Sequence, residues 1–289
     1  VGRGTHYGVA EYEMLEIENC EAQQEMLVEL KAAVKQLDTK TLRNLRVMAG
    51  LCGSRWSREL LKLLSGAARV ASVLAGSGGS VLVHCNDGWN RTPQVVALAQ
   101  ILIDPYYRTL EGFEVLVEKE WVHSGHCFAA RLGHAGKATG EAPIWVQFLD
   151  CVWQLLQARP SAFEFGEPLL VALADAAWAC RHGTFLFDSP ALAAAAEARE
   201  RTVGVWADLR RRRTALLNPR YKAFPGLLKV HFKVEDLQVW GGLYLRYLNQ
   251  DWHEPLPPDP LCPERAPGEE AREPRVSDSC SFKAPHVAA

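Results

Sequence analysis

A thiol, a carboxylate and a guanidinium lie within seven residues of one another in the stretch Val81-Leu82-Val83-His84-Cys85-Asn86-Asp87-Gly88-Trp89-Asn90-Arg91-Thr92-Pro93. Cys85 and Arg91 frame a C-x5-R loop. A loop of that length wraps a phosphate with its backbone N–H groups pointing inward, so Asn86, Gly88, Trp89 and Asn90 become candidate binding positions. The Arg91 guanidinium would grip two phosphate oxygens as a planar fork and stabilise the charge that develops in the transition state. Cys85 would attack phosphorus and carry a phospho-cysteine intermediate. Asp87 is the loop acid, and the hydroxyl of Thr92 could hydrogen-bond the sulfur.

Such a loop works only if flanking elements hold it. The β-branched run Val81–Val83 reads as a buried strand, Gly88 as a turn, and Gln94–Ile103 as a helix with Pro93 in its first turn. Cys85 then sits between a strand and a helix N-terminus, where free amides and the helix dipole favour a bound anion and favour thiolate over thiol. Two residues at fixed spacing arise by chance in many chains. Here the apolar strand, His84, Gly88, Thr92 and the immediate helix coincide with them. The alternative is a buried structural cysteine in an ordinary strand-loop-helix connection.

The rest of the chain supplies mostly helices. Residues 1–12 are Gly-rich and polar, and Tyr12 to Ile17 alternates like a short strand. Glu21 to Leu37 places Met26, Leu27, Leu30, Val34 and Leu37 at helical spacing. Leu60 to Leu74 predicts a second, more apolar helix that stops at Gly76-Ser77-Gly78-Gly79-Ser80. After the loop helix, Tyr106 to Gly112 predicts a turn into a helix whose Phe113, Leu116 and Trp121 read as core. Residues 122–142 are Gly-rich and polar and hold His123, His126, His134 and Arg131. A metal site is one reading of those histidines, but their spacing matches no H-x-x-x-H or mixed Cys/His pattern, and a ligand-facing loop is the other.

Ile144 to Gln157 and Pro168 to Cys180 predict two buried helices, with Trp145, Trp153 and Trp178 as packing residues. Ala191 to Leu217 reads as one Ala- and Arg-rich helix containing Arg210-Arg211-Arg212-Arg213. That run suits either a solvated helix face or a contact with anionic lipid. Leu237 to Leu248, with Trp240, Tyr244 and Tyr247, closes the globular part, giving a domain over residues 1–252. From His253 to residue 289, Pro, Glu, Arg and Ser replace the large apolar residues, which is the composition of a disordered tail.

Composition excludes several classes. The chain has 289 residues, 48% of them hydrophobic and 23% charged, enough for one large or two small domains. A formal net charge of -2 gives no global attraction for nucleic acid, so anion binding must be local. Eight cysteines without a C-x-x-C pair read as scattered reduced thiols of an intracellular protein rather than as a disulfide or zinc framework. No stretch reaches the roughly 18 uninterrupted apolar residues of a membrane span.

The loop Cys85-Asn86-Asp87-Gly88-Trp89-Asn90-Arg91-Thr92 resembles the C-S-D-G-W-D-R-T loop of the myotubularins. The likeness continues through Asp104-Pro105-Tyr106-Tyr107-Arg108-Thr109, Gly112 to Trp121, Gly125-His126, Phe128, Arg131, Gly133-His134, Phe148 to Gln154, Phe163-Glu164-Phe165 and Gly183 to Leu186. The resemblance implies an α/β cysteine-phosphatase-like domain: a central sheet flanked by many helices, helix-rich and truncated at its amino-terminal side. The family's lipid-binding module and first phosphatase strands are expected to be missing. It further implies hydrolysis of the 3-phosphate of phosphatidylinositol 3-phosphate, with no metal and no cofactor, and Arg131 as an arginine that faces the substrate's phosphates. The implied partners are phosphatidylinositol 3-phosphate in membranes and homo- or hetero-oligomers with other myotubularins, with no nucleic acid. The implied location is cytoplasmic, peripheral on endosomal-type membranes.

Three departures bear on that expectation. Asn90 stands where the family has the Asp usually assigned as general acid, and an amide cannot donate a proton to the leaving inositol alkoxide. Losing a general acid costs about 10²–10⁴ in rate. Cys127 stands where the family usually has Lys or Arg, which argues for a mono-phosphorylated lipid. Asn86 replaces a Ser whose contribution is mainly its backbone N–H. Asp87 is retained, either as substitute acid or as a group that holds the loop. The alternative to an enzyme is a catalytically impaired pseudophosphatase that binds phosphoinositide or regulates a partner. A protein-tyrosine phosphatase is disfavoured by Trp89 and the downstream blocks.

Overall fold

In the computed structural model, residues 11–35, 53–77, 79–134 and 140–246 are described. The Gly-rich start, Leu37, Gly78, Tyr247, Leu248 and the tail over 253–289 lie outside the described residues.

The fold is helical and built around α6, Ile144–Ala158, in which every residue from Ile144 to Leu156 is buried. A helix apolar on nearly all sides must be covered on all sides. Its neighbours are α2 (Arg55–Ser77), α3 (Arg91–Ile103) and α7 (Glu167–Ala179). Helix α2 shows how: Trp56, Leu60, Leu63, Leu64, Ala67 and Ala71 recur at helical spacing and are all buried. Helix α1, Cys20–Lys35, turns Met26, Leu27, Leu30 and Val34 inward in the same way. Residue types and burial at these positions match the amphipathic pattern of the sequence.

Helix α3 runs out of the loop with Pro93 in its first turn and ends at Asp104, whose Oδ1 accepts from the Tyr106 N–H at 2.8 Å and starts a 3-10 turn, Pro105–Arg108. Thr109 then caps α4, Leu110–Val117, by accepting from the Gly112 N–H at 3.0 Å. A Cβ on Gly112 would stand 1.8 Å from the Tyr106 carbonyl oxygen, so only glycine permits this close approach. Arg108 is fully buried and donates to the Phe224 and Gly226 carbonyls at 2.8 and 3.0 Å, which ties the turn to a distant segment. Helix α4 continues into a π-helical stretch, Glu118–His123, that places Trp121 in the core beside Trp145 and Phe148 at 5.0 and 4.8 Å.

Four sequence expectations differ from the structure. Among the described residues there is no strand; the one β pairing is an isolated antiparallel bridge between Phe165 and Leu217. Residues 79–85 are free of helix and turn, as expected of a strand, yet no described segment forms a ladder with them, and Leu82 is 73% exposed. β-Branched residues favour extended backbone, but a sheet needs a neighbour's N–H and C=O groups. Residues 11–17 are likewise unladdered and held by α2, through Arg69 to Glu13 at 2.9 Å and Lys62 to the Glu16 carbonyl at 2.7 Å.

Secondly, Ala191 to Leu217 is not one helix but four short ones, Pro190–Ala195, Ala198–Arg201, Val205–Arg211 and Arg213–Leu216. Glu197 adopts a left-handed conformation with φ 53°, and Thr202 and Gly204 are extended. The alanines of 191–196 bury little area, so there propensity alone holds the helix and a local break is easily accommodated. The four arginines each reach an acid: Arg210 pairs with Glu114, Arg211 and Arg212 with Asp208 at 3.0 and 2.9 Å, and Arg213 with Glu164 at 2.8 Å. Thirdly, among the described residues the closing helix is Gly241–Tyr244, and Trp240 packs instead by stacking on Trp153 at 6.0 Å and donating to Glu167 at 2.9 Å. Finally, Trp145 and Trp153 pack inside as expected, whereas Trp178 is 42% exposed.

Candidate active site

The C-x5-R stretch forms a loop that leads directly into α3, with Arg91 as the first helical residue. Gly88 has φ +82°, a conformation that side-chain-bearing residues rarely adopt, and this turns its amide back onto the cysteine. The Cys85 sulfur accepts from the Gly88 N–H at 3.2 Å and from the Thr92 hydroxyl at 3.1 Å. Partial burial disfavours a charged sulfur. The Thr92 hydroxyl and amide, with the amides of Gly88 and Asp87, outweigh it and hold the thiol below its ordinary pKa.

The guanidinium of Arg91 is steadied from the far side of the sequence: its Nη1 donates to the Ile17 carbonyl at 3.2 Å. The segment before α1 therefore forms one wall of the site. Cys20 belongs to the same neighbourhood. Burial raises its pKa, while the charges of Arg131 and Arg91 act to lower it and those of Asp87 and Cys85 to raise it.

Asn90 and Arg131 are brought together across 41 residues, with Arg131 Nε donating to Asn90 Oδ1 at 3.1 Å and Nη1 to the Gly140 carbonyl at 2.6 Å. Asn90 is only 4% exposed. Its side chain is thus turned toward Arg131 and away from solvent, whereas Asn86, Asp87 and Trp89 are exposed at the mouth of the loop. Arg131 lies on a short helix, α5, Phe128–Leu132, which Asp188 anchors by accepting from the Ala130 N–H at 2.9 Å. Cys127 immediately precedes it. Burial, then Asp188, push the Cys127 thiol up, against the pull of Arg131.

The histidines of residues 122–142 engage the backbone. Each spends a ring nitrogen on a backbone carbonyl: His123 on Glu118 and His126 on Trp89, both at 2.7 Å, and His134 on Ala177 at 2.8 Å. Among the described residues no group of three or more His, Cys, Asp or Glu converges as a metal site. The structure therefore gathers the seven loop residues and Arg131 in one place. Sequence reasoning overlooked His126 as a support of the loop, Cys20 and the Ile17 carbonyl. Gly125-His126 stood among the family-like blocks, and Ile17 lies in the stretch 13–19, which resembles the segment before the family's first central helix; those were the available signals, and nothing local marked Cys20.

The sequence matches the family described as "Myotubularin-like phosphatase domain" over residues 2–192. Among curated relatives, "Myotubularin" of Rattus norvegicus is 37% identical over 255 residues, covering 87% of this chain and 42% of the relative. "Phosphatidylinositol-3,5-bisphosphate 3-phosphatase MTMR2" of Mus musculus is 36% identical over 245 residues, covering 83% of this chain and 38% of the relative. "Phosphatidylinositol-3,5-bisphosphate 3-phosphatase MTMR8" of Homo sapiens is 36% identical over 245 residues, covering 84% and 34%. The chain spans about two fifths of the length of the first of these relatives.

Proposed function

The chain belongs to the myotubularin-like phosphatase family, and from that premise we propose that it hydrolyses the 3-phosphate of phosphatidylinositol 3-phosphate at Cys85. The observation that carries this reading is a thiol held below its ordinary pKa by loop donors, with Arg91 six residues on as the first residue of α3. The thiolate attacks phosphorus, forming an S–P bond as the P–O bond to the inositol ring breaks. The ring oxygen leaves with the electron pair and takes up a proton. Water then attacks phosphorus, the S–P bond breaks, and inorganic phosphate and the Cys85 thiolate are released. Arg91 and the loop amides hold the phosphoryl oxygens through both steps.

The proton donor in this reading is Asp87. What supports it is exposure: Asp87 stands open at the mouth of the loop, while the side chain at position 90 is buried and engaged by Arg131. Replacing the family's Asp by Asn90 then removes a carboxylate opposite Arg131 rather than the leaving-group acid. An aryl phosphate expels a stabilised phenolate and needs little proton donation, so two substrates separate the roles. Asp87→Asn should slow lipid hydrolysis by about 10²-fold or more while sparing an activated aryl ester. Asn90→Asp should change neither by more than about threefold, since no donor is created. A large, lipid-selective gain from Asn90→Asp would move the acid to position 90.

Substrate choice follows from Cys127 beside Arg131. With a thiol where a cation would receive a second ring phosphate, phosphatidylinositol 3-phosphate should be used at least as well as the 3,5-bisphosphate named for two of the relatives. Phosphate release from both short-chain lipids by the full chain tests the reading directly. Asn90 also favours a second reading, a pseudophosphatase that binds phosphoinositide or pairs with other myotubularins; it predicts lipid binding without phosphate release. The phosphatase reading further implies a cytoplasmic protein, peripheral on endosomal-type membranes, with Val81–Val83 in a central α/β sheet.

A further inference from the structure

The most buried polar group that touches the loop is His126, 1% exposed and wedged edge-on between Trp121 and Phe128 at 5.0 and 4.7 Å. Its Nδ1 lies 2.7 Å from the Trp89 carbonyl oxygen. A carbonyl only accepts, so Nδ1 carries the proton and the tautomer is fixed. Burial, with help from the Arg131 charge and against the Trp89 bond, lowers the imidazole pKa to about 4, so the ring is a neutral donor under ordinary conditions.

The consequence lies on the other side of the peptide bond. The unit joining Trp89 to Asn90 is planar and trans, so its C=O and N–H point in opposite directions. Holding the Trp89 oxygen toward the core turns the Asn90 N–H away from the core. Free to rotate, the same unit could present its oxygen to the anion and repel it.

We infer that His126 is a positioning residue of the phosphate cradle: by pinning the Trp89 carbonyl it keeps the Asn90 N–H directed at the place an entering phosphate occupies. This rests on the reading of the loop as a phosphate cradle. Cys85 is served by other donors, Gly88 and Thr92, so the effect falls on oxyanion binding and on transition-state charge rather than on forming the thiolate.

The test uses the full chain and tungstate as the oxyanion probe, with affinity read by isothermal titration calorimetry and kcat and KM read on an aryl phosphate. His126→Phe keeps an aromatic ring between Trp121 and Phe128 but has no donor. His126→Asn loses much of the packing yet can place an amide N–H where Nδ1 stood. The Phe variant should bind tungstate at least about tenfold more weakly and lose kcat, with the Asn variant within about threefold of the parent in affinity. Parent-like affinity in His126→Phe, or equal losses in both variants, would overturn the positioning role and leave a packing one. Should His126→Phe not fold, His126→Leu, which also lacks a donor, takes its place: a loss of about tenfold beside a parent-like His126→Asn supports the role, and parent-like affinity overturns it. Failure of the unmodified chain to bind tungstate would instead overturn the cradle, and the phosphatase reading with it. Tungstate binding without phosphate release from lipid overturns only turnover.

Discussion

Two acidic groups in this molecule are surrounded by hydrogen-bond donors and respond in opposite ways. Cys85 accepts from the Gly88 amide and the Thr92 hydroxyl, and its pKa is lowered. Asp150, in the middle of α6, accepts from Trp56 Nε1 at 2.9 Å and from Gln154 Nε2 and the Tyr244 hydroxyl, both at 3.0 Å. Yet burial raises its pKa to about 6, and the three donors only moderate that rise. The difference is access to solvent. Cys85 is partly open, so the cost of desolvation is small enough for a few donors to reverse; Asp150 is enclosed, and they are not enough. Donors that face an open mouth make a reactive anion, while donors in the core make a staple between helices.

The largest expected effect breaks the reactive side of this contrast. Cys85→Ser replaces an activated thiolate with an alcohol of far higher pKa, and phosphate release should fall by at least about 10³-fold. Tungstate binding should persist, because Arg91 and the loop amides remain. Unchanged turnover in the serine variant would remove Cys85 as the nucleophile.

The staple is tested by pH. The folded-state pKa of Asp150, about 6, stands above the unfolded carboxylate value, so the folded protein holds this proton more tightly. Its contribution to stability is therefore greatest below about pH 4 and is lost as pH rises to about 6, by up to roughly 3 kcal/mol. Urea unfolding of the parent and of Asp150→Asn at pH 4.5 to 7.5 should show this slope in the parent and its absence in the variant. Parallel pH profiles would mean that Asp150 does not titrate in this window.

The smallest effect sharpens the first half of the comparison. Thr92→Val keeps the shape of the residue and removes one donor to sulfur. Alkylation of Cys85 by iodoacetamide at neutral pH should slow about tenfold, with the rate recovering at higher pH as the thiolate forms. An unaltered rate profile would show that the amides alone set the thiolate.

Legibility followed the distance between partners along the chain. The loop from Cys85 to Thr92, with its turn at Gly88 and a helix starting at Arg91, was legible because its parts are contiguous in sequence. The stripe of α2 and the largely apolar α6 were legible for the same reason, since apolar residues recur within one helical segment. Alanine-rich helicity at the start of 191–217 misled, because over residues 190–201 only Ala198 is buried, and propensity without a buried face does not hold a helix straight.

What only the tertiary structure decided are the three bonds that tighten the loop. They join Arg91 to Ile17, Asn90 to Arg131 and Trp89 to His126 across separations of 74, 41 and 37 residues. No local pattern encodes them, because each forms only when packing of α3, α5 and the segment before α1 brings a side chain to a distant carbonyl or amide. The sign of each pKa shift was decided in the same way. Residue types at Cys85 and Asp150 determine that each can ionise; the enclosure built by distant helices determines which one does so easily.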